Sequence, residues 1–260
     1  MPDAQTDPGS APILSIDGAR ASIQLNRPRH HNRIEGSDIA ALCSMFSQIE
    51  RERRVRVLVL TAGGHTFCAG FNLEELKPQI SPRPGPAFGD MVDQLEELRV
   101  PTICAVNGSV YGGGTDLALA CDFRIGVAGM EMLMPAGRIG VHYYYGGLRR
   151  YVTRLGLAAA KRLFLCGEKI DADELLKIGF LDELVPSADL AARVDALASR
   201  LAANAPAALQ GMKRALNKIA AAEADRAEVD RAARASMGSA ELAEGLAAHA
   251  QKRKPVFGED

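Results

Sequence analysis

The sequence predicts a mixed α/β fold with a strand-rich first half and a helical second half. Between residues 55 and 127, short continuous apolar runs recur, each followed by glycine and then by helix-like spacing. Such runs are typical of strands buried in a sheet. From about Leu155 the chain is rich in alanine, leucine and lysine with helical periodicity. At 260 residues and 47% apolar, it is long enough to bury the large core of one enzyme domain.

The first predicted elements are a hairpin and a helix. Apolar residues at Ile13–Ile16 and Ala21–Leu25 flank Asp17-Gly18, a dipeptide that favours a tight turn. A helical pattern then runs from Ser37 to about Arg51. Strands over 55–61 and 102–106 follow, each with a glycine-bearing loop and the start of a helix.

Further strands are predicted at 123–127 and at Met132–Met134. Between the two glycine loops, residues 77–88 carry four prolines, which excludes a helix there. That run fits either a loop over a site or a plain surface linker. Five helices are predicted beyond residue 155, at Ala158–Leu165, Asp171–Ile178, Ala188–Asn204, Pro206–Ala222 and Asp225–His249.

Composition excludes several classes of function. The formal net charge of −1 gives no attraction to nucleic acid or anionic membrane. No apolar run approaches the ~18–20 residues that span a bilayer, and the polar first ten residues lack a signal pattern, so we expect a cytoplasmic protein. The histidine and cysteine spacings do not suggest a metal site. The cysteines are odd in number and scattered, which favours reduced core residues; they are Cys43, Cys68, Cys104, Cys121 and Cys166.

The most informative segment is Asn107–Asp116, which joins an apolar strand to an apolar helix through Gly112–Gly114. Glycines allow close approach to the main chain, and the new helix aims unpaired N–H groups at that point. Asp116, in the first helical turn, adds a carboxylate that could move a proton. The same pattern also occurs in ordinary turns with a helix-dipole partner, and no phosphate-binding glycine motif fits.

A second segment, Val57–Leu76, repeats the arrangement of strand, glycine loop and acidic helix start. Two backbone N–H groups, one from each junction, would form an oxyanion hole worth roughly 3–4 kcal/mol per donor in transition-state stabilisation.

Seven segments, in order, resemble those of the crotonase superfamily, also called enoyl-CoA hydratase/isomerases. They are Leu25–Pro28 with Asn32, Phe67–Leu73, Pro101–Gly108, Gly112–Asp116, Ala120–Asp122, Gly146–Gly147 before a basic pair, and Lys252–Phe257. The resemblance implies a spiral of repeated β-β-α units over residues 11–195, after a disordered start at 1–10. It also implies a C-terminal helical region over 196–260 that forms trimer contacts, so we expect a homotrimer or a hexamer built as a dimer of trimers.

The resemblance further implies an acyl-CoA enzyme. The thioester carbonyl would point between the amides of Phe71 and Gly113, which would hold its enolate. Coenzyme A would enter as part of the substrate, with no permanently bound cofactor and no metal. Arg29, suited to a phosphate, and His31 would line it. The other residues implied to contact coenzyme A are Ala69, Phe71, Asn72, Gly112, Gly113, Lys252 and Phe257.

Two departures bear on the reaction. Hydratases of this family use two glutamates; here the first is Asp116 and the second aligns with Ala136. The loop with Tyr143, Tyr144 and Tyr145 is similar to that of methylmalonyl-CoA decarboxylases, with a tyrosine at Tyr143, although tyrosines also pack simply as walls.

Several reactions therefore stay open. Asp116 could serve as the single acid/base of a non-standard hydratase or isomerase. Tyr143 could orient the leaving group in a decarboxylation or C–C cleavage. Thioester hydrolysis and a CoA-binding homologue with little catalysis are the remaining alternatives.

Overall fold

The computed structural model describes residues 9–76 and 87–258. Its strands are β1 (Ile13–Asp17), β2 (Arg20–Leu25), β3 (Val57–Ala62), β4 (Thr66–Cys68), β5 (Thr102–Val106), β6 (Ser109–Tyr111), β7 (Phe123–Val127), β8 (Glu131–Leu133), β9 (Lys169–Asp171) and β10 (Glu183–Val185). Its α-helices are α1 (Gly36–Arg51), α2 (Phe88–Glu97), α3 (Gly113–Ala120), α4 (Tyr145–Lys161), α5 (Ala172–Lys177), α6 (Leu190–Ala202), α7 (Pro206–Ala220), α8 (Arg226–Ser236) and α9 (Ala240–Ala250).

The strands form two sheets. A six-stranded sheet has the order β1-β2-β3-β5-β7-β10, and a four-stranded sheet has the order β4-β6-β8-β9. Only the hairpin β1–β2 and the pair β8–β9 are antiparallel among the described pairs. Strand pairs β3–β4, β5–β6 and β7–β8 each place one strand in each sheet before the chain enters a helix. The predicted repeat of β-β-α units is thus confirmed.

The core lies where the central parallel strands are covered on both sides. Every residue of β5 is buried, as a parallel strand with two covered faces requires. On one side α6 packs against β3, β5 and β7 through Val194, Ala198 and Leu201, spaced on one helical face. The expected boundary at residue 195 therefore falls inside a helix of the core.

Several helices differ from the sequence prediction. The single helix expected over 225–249 is broken between α8 and α9, because the Ser239 side chain accepts a hydrogen bond from the Leu242 amide and begins a new helix. Helix α2 and the first half of α4 were not predicted. Gly156, with a φ of 81°, interrupts α4, so only its second part corresponds to the expected helix at Ala158.

The proline-bearing run lies outside the described residues over 77–86, whereas Phe88 begins α2. Within the described ranges, no helix combines the length and the apolar character needed to cross a membrane. All five cysteines are free; Cys68, Cys104 and Cys121 are buried, but Cys166 is exposed.

Candidate active site

The two glycine loops meet at Gly70 and Gly113. Gly70 follows β4 and Gly113 follows β6. These two strands are parallel neighbours in the four-stranded sheet, so the segments after them leave the same edge of that sheet. Gly70 has a φ of 89°, and a side-chain carbon there would lie 2.8 Å from both the Gly113 nitrogen and the Tyr111 carbonyl oxygen. Glycine is therefore required at position 70 by conformation and by space.

Phe71 lies in an isolated parallel bridge with Ile34. The Ile34 amide donates to the Gly70 carbonyl at 2.8 Å, and the Asn72 amide donates to the Ile34 carbonyl at 2.9 Å. Since these bonds flank Phe71, its own N–H points away from Ile34. The backbone of Phe71 is thus held in place on one side by the strand-like segment at Ile34.

Helix α3 begins at Gly113, so the Gly113 amide is one of the first-turn N–H groups without a partner inside the helix. The residue that needs glycine for its conformation is Gly112, with φ 50° and ψ −126°, whereas Gly113 has no positive φ. At Gly113 the constraint is space instead, because an added side-chain carbon would lie 2.7 Å from Cζ of Phe88.

Asp116 lies in the first turn of α3, and its side chain is 0% exposed. Oδ1 accepts a hydrogen bond from Nε of Arg150 at 2.9 Å. Oδ2 accepts from the phenol of Tyr143 at 3.1 Å and from the phenol of Tyr144. Both carboxylate oxygens are engaged, and Oδ2, which already accepts two hydrogen bonds, can take a proton only if one of its donors moves or transfers its own proton.

Arg150, on α4, is also fully buried and joins Asp116 to α2. Its Nη1 donates to Asp93 at 2.8 Å and to Glu96 at 2.7 Å, and its Nη2 donates to the Tyr144 hydroxyl at 2.9 Å. Burial lowers the pKa of Arg150, but the charge and hydrogen bond of Asp116, together with the electrostatic contributions of Tyr144 and Glu96, outweigh burial, and the net pKa is raised. The guanidinium is therefore permanently charged.

Both phenols on Asp116 stay neutral near pH 7. Burial raises the pKa of Tyr143 well above its ordinary value, and the charge of Asp116 raises it further. The pKa of Tyr144 is raised by the same two causes, against the opposing charge of Arg150. The ring of Tyr143 packs against Tyr144 and Phe164, with centroids 4.9 Å and 5.2 Å apart.

Ala136, which aligns with the second glutamate of hydratases, is buried and begins a short 3-10 helix, Ala136–Ile139. A methyl group at this position has no acid/base chemistry.

The residues expected at coenzyme A are brought together in part. The Ala69 amide donates to the His31 carbonyl at 2.8 Å, and Nδ1 of His31 lies 3.0 Å from the Thr66 hydroxyl. Arg29, in the same exposed turn, thus lies near the loop that leads to Phe71. The Asn72 side chain has contacts within the protein: it donates to Glu35 at 2.7 Å and accepts from the Glu74 amide at 3.1 Å. It therefore stabilises the loop.

Lys252 is exposed and follows α9, and Phe257 lies away from Arg29 and His31 in this chain. The Phe257 carbonyl accepts a hydrogen bond from Arg56 at 2.7 Å, and Arg56 immediately precedes β3. Arg29 and His31 follow β2, which runs parallel to β3. The C-terminal segment and the expected coenzyme A residues are therefore at opposite ends of these strands.

Sequence reasoning missed Phe88 and Arg150, and of the three adjacent tyrosines it singled out only Tyr143. The basic pair after Gly146-Gly147 was part of the family resemblance. Because the start of α4 was not predicted, the sequence did not show which of the two arginines faces the site. Phe88 lies beside both oxyanion candidates, with its ring centroid 6.1 Å from that of Phe71.

Comparison with known proteins agrees with this architecture. The family model described as enoyl-CoA hydratase/isomerase matches residues 16–260. The enoyl-CoA isomerase/hydratase fer4 of Mycosarcoma maydis is 32% identical, with 90% of each chain covered. The 1,2-epoxyphenylacetyl-CoA isomerase of Escherichia coli is 31% identical, with 94% of this chain and 97% of the relative covered. A crystal structure of an enoyl-CoA hydratase from Bacillus anthracis superposes with a TM-score of 0.86 at 27% identity, covering 96% of this chain and 100% of that one.

The chain belongs to the enoyl-CoA hydratase/isomerase family and has its crotonase fold. It is accordingly an enzyme that acts on acyl-CoA thioesters.

Proposed function

We propose that the protein forms the enolate of an acyl-CoA thioester between the amides of Phe71 and Gly113, and moves protons on the acyl group with a single carboxylate, Asp116. This describes a non-standard hydratase or a double-bond isomerase. The observation that carries the proposal is the contact of the two glycine loops, where Gly70 lies against the Gly113 nitrogen.

Enolate stabilisation needs donors that are fixed before the reaction. The Gly113 amide lies at the positive end of α3. The Phe71 amide points away from the bridge to Ile34, which fixes its backbone. Preorganised N–H groups of this kind stabilise negative charge as it develops, without reorganising in the transition state. The thioester carbonyl is the group on which that charge develops.

The carboxylates decide between hydration and other proton transfers. Addition of water by two glutamates is not available, because Ala136 replaces one of them. Oδ1 of Asp116 is paired with Arg150, so the contacts favour proton transfer at Oδ2 and the two phenols that donate to it. We infer that Tyr143 relays protons between the acyl group and Asp116, since its phenol is neutral and directly bonded to the carboxylate.

A decarboxylation or C–C cleavage is the second candidate. The engagement of both Asp116 oxygens favours it, because loss of CO₂ generates an enolate without any base. In that reaction Tyr143 would hold the departing carboxylate.

Coenzyme A would approach along Arg29, His31 and Ala69, which lie on the path to Phe71. Lys252 and Phe257 could complete this site only from a neighbouring subunit, as a homotrimer or hexamer would allow. The exposed apolar residues Met212, Leu216 and Ile219 on α7 support such an assembly, and light scattering of the purified protein measures its mass.

The reaction is tested with four CoA thioesters: crotonyl-CoA for hydration, 3-hexenoyl-CoA for isomerisation, methylmalonyl-CoA for decarboxylation, and butyryl-CoA for hydrolysis. For hydration or isomerisation, Asp116→Asn should lower turnover by ~10²–10⁴ with acyl-CoA binding nearly unchanged. For decarboxylation, Tyr143→Phe should cost more than Asp116→Asn.

Binding is measured in parallel by calorimetry. Tight binding without product from any thioester would favour a CoA-binding homologue with little catalysis. Hydration at rates comparable to two-glutamate hydratases would refute the argument from Ala136, with His142 then the nearest replacement in sequence.

A further inference from the structure

Arg150 contacts two of the groups that surround the proposed proton path. Its Nε donates a hydrogen bond to Asp116, and its Nη2 donates one to the Tyr144 hydroxyl. Its Nη1 donates to Asp93 and Glu96 on α2. We propose that Arg150 is a positioning residue, which holds Asp116 ionised and turned so that Oδ2 alone faces the phenols. This inference rests on the proposed function of Asp116.

The planar guanidinium explains why arginine suits this position. Its N–H groups lie in one plane and point in fixed directions, so a single side chain can set the orientation of Asp116 and Tyr144 together. A lysine ammonium could neutralise the charge but would reach fewer of these partners and would not fix their relative angle. The proposal therefore predicts that charge alone is insufficient.

The carboxylates on α2 keep Arg150 in place. Three carboxylates, Asp93, Glu96 and Asp116, face three guanidiniums, those of Arg149, Arg150 and Arg154. Glu96 is buried and takes part in ion pairs with all three arginines. Burial raises the pKa of Glu96, but the arginine charges outweigh burial and lower it overall.

The same helix also borders the oxyanion loop. Phe88, the first residue of α2, lies against Gly113, and the next residue, Gly89, lies against the ring of Tyr144. Arg150 thus links Asp116 to α2, the helix whose first residue lies against Gly113. The acid/base group and one oxyanion donor are fixed to a common element.

Arg154 provides a matched control. It lies one turn further along α4, also pairs with Glu96, at 3.6 Å, and donates to the Cys121 carbonyl at 2.6 Å. No described hydrogen bond or ion pair joins it to Asp116 or to the tyrosines. A loss that comes only from weakening the ionic cluster should therefore appear in both arginine variants.

The kinetic test compares Arg150→Lys with Arg154→Lys, using hydrogen exchange at the α-carbon of butyryl-CoA in D₂O and turnover of the preferred thioester from the panel. Arg150→Lys should lower the rate by about 10²-fold with KM nearly unchanged, as expected for a misplaced group. Arg154→Lys should lower it by less than about threefold. In an Asp116→Asn background, Arg150→Lys should cost little more, because its effect passes through Asp116.

An infrared test needs no turnover. In Arg150→Met the buried Asp116 loses its counter-charge and should become protonated. A carboxylic-acid carbonyl band should then appear near neutral pH and vanish in the Arg150→Met, Asp116→Asn double variant. Arg154→Met should not produce the band, and circular dichroism checks that each variant is folded.

Equal losses in the two lysine variants, or an Arg150→Lys effect that persists undiminished beside Asp116→Asn, would overturn the proposal. So would the absence of the acid band in a folded Arg150→Met protein. If Asp116→Asn alone has wild-type rates, the proposed function of Asp116 fails instead, and the infrared comparison still decides whether Arg150 controls its charge.

Discussion

Replacement of Gly70 by alanine offers the most direct perturbation of the proposed oxyanion hole. The added methyl group would lie 2.8 Å from the Gly113 nitrogen and from the Tyr111 carbonyl oxygen, whereas ordinary contact begins at 3.4 Å. The two loops must therefore separate by roughly 0.6 Å, a displacement on the scale that matters for oriented catalytic groups. We expect a loss of about 10²–10³ in rate, equivalent to removing one oxyanion donor.

Gly129 is the matched control for this change. Its φ of 82° resembles the 89° of Gly70, but a side-chain carbon there would meet nothing within 4 Å. Both alanine variants carry a similar conformational cost of about 1–2 kcal/mol, so thermal unfolding should report that cost in each. Only Gly70→Ala should also separate the loops.

The assay is hydrogen exchange at the α-carbon of butyryl-CoA, followed by NMR in D₂O, since it reports enolate formation whatever reaction follows. Turnover of the preferred thioester and calorimetric binding are measured on the same samples. Similar rates for the Gly70→Ala and Gly129→Ala variants, with both folded, would refute the reasoning that the two loops form one site.

Gly113→Val should lose at least about 100-fold in activity with the circular dichroism spectrum retained, because its side chain would collide with Phe88; near-normal turnover would remove this loop from the mechanism. Ala136→Glu combined with Asp116→Glu should not raise crotonyl-CoA hydration, and a clear rise would identify a lapsed hydratase. Burial alone would raise the pKa of Glu35, but hydrogen bonds to this carboxylate lower it from 4.5 to about 2. Its stabilising effect should therefore be complete above pH 4.5 and be lost as pH falls toward 2. Urea unfolding across this range should show a weaker acid dependence in Glu35→Gln, and an unchanged dependence would contradict the assignment.

Strands β3 and β5 were predictable because they are buried in a parallel sheet. The run predicted at 102–106 matches β5, and the run predicted at 55–61 corresponds to β3 with a shift of one or two residues at its ends. Such runs report burial on both faces directly in the sequence. The meeting of the two loops depends on the parallel pairing of β4 and β6, two short strands that the sequence did not reveal.

The beginnings of α2 and α4 were harder to predict for local reasons. Helix α2 follows a proline-bearing run and has only a short apolar face, with Met91, Val92 and Leu95 buried. Helix α4 begins with Tyr145-Gly-Gly, and glycine disfavours helix formation by roughly 1 kcal/mol per residue. Packing against the rest of the chain overrides that preference.

The ionic cluster was unpredictable because its partners are distant in sequence. Arg150 lies 57 residues from Asp93 and 54 from Glu96, and no local pattern specifies such pairs. Asp116 was recognised as a candidate acid/base from its place after the glycines. That its carboxylate is buried and engaged at both oxygens depends on α2 and α4, the helices that the sequence did not reveal.

The charge balance of this cluster bears on the reaction itself. Asp93, Glu96 and Asp116 are matched by three arginines, and each of these guanidiniums already faces a carboxylate. A second buried active-site carboxylate would either need another cation or be held protonated, because an unpaired buried charge is strongly destabilising. The apolar Ala136 avoids that cost, and the raised pKa values of Tyr143 and Tyr144 keep both phenols neutral. Proton transfer in this protein should therefore pass through neutral phenols beside one fixed carboxylate, a chemistry better suited to shifting a double bond or releasing CO₂ than to activating water from two sides.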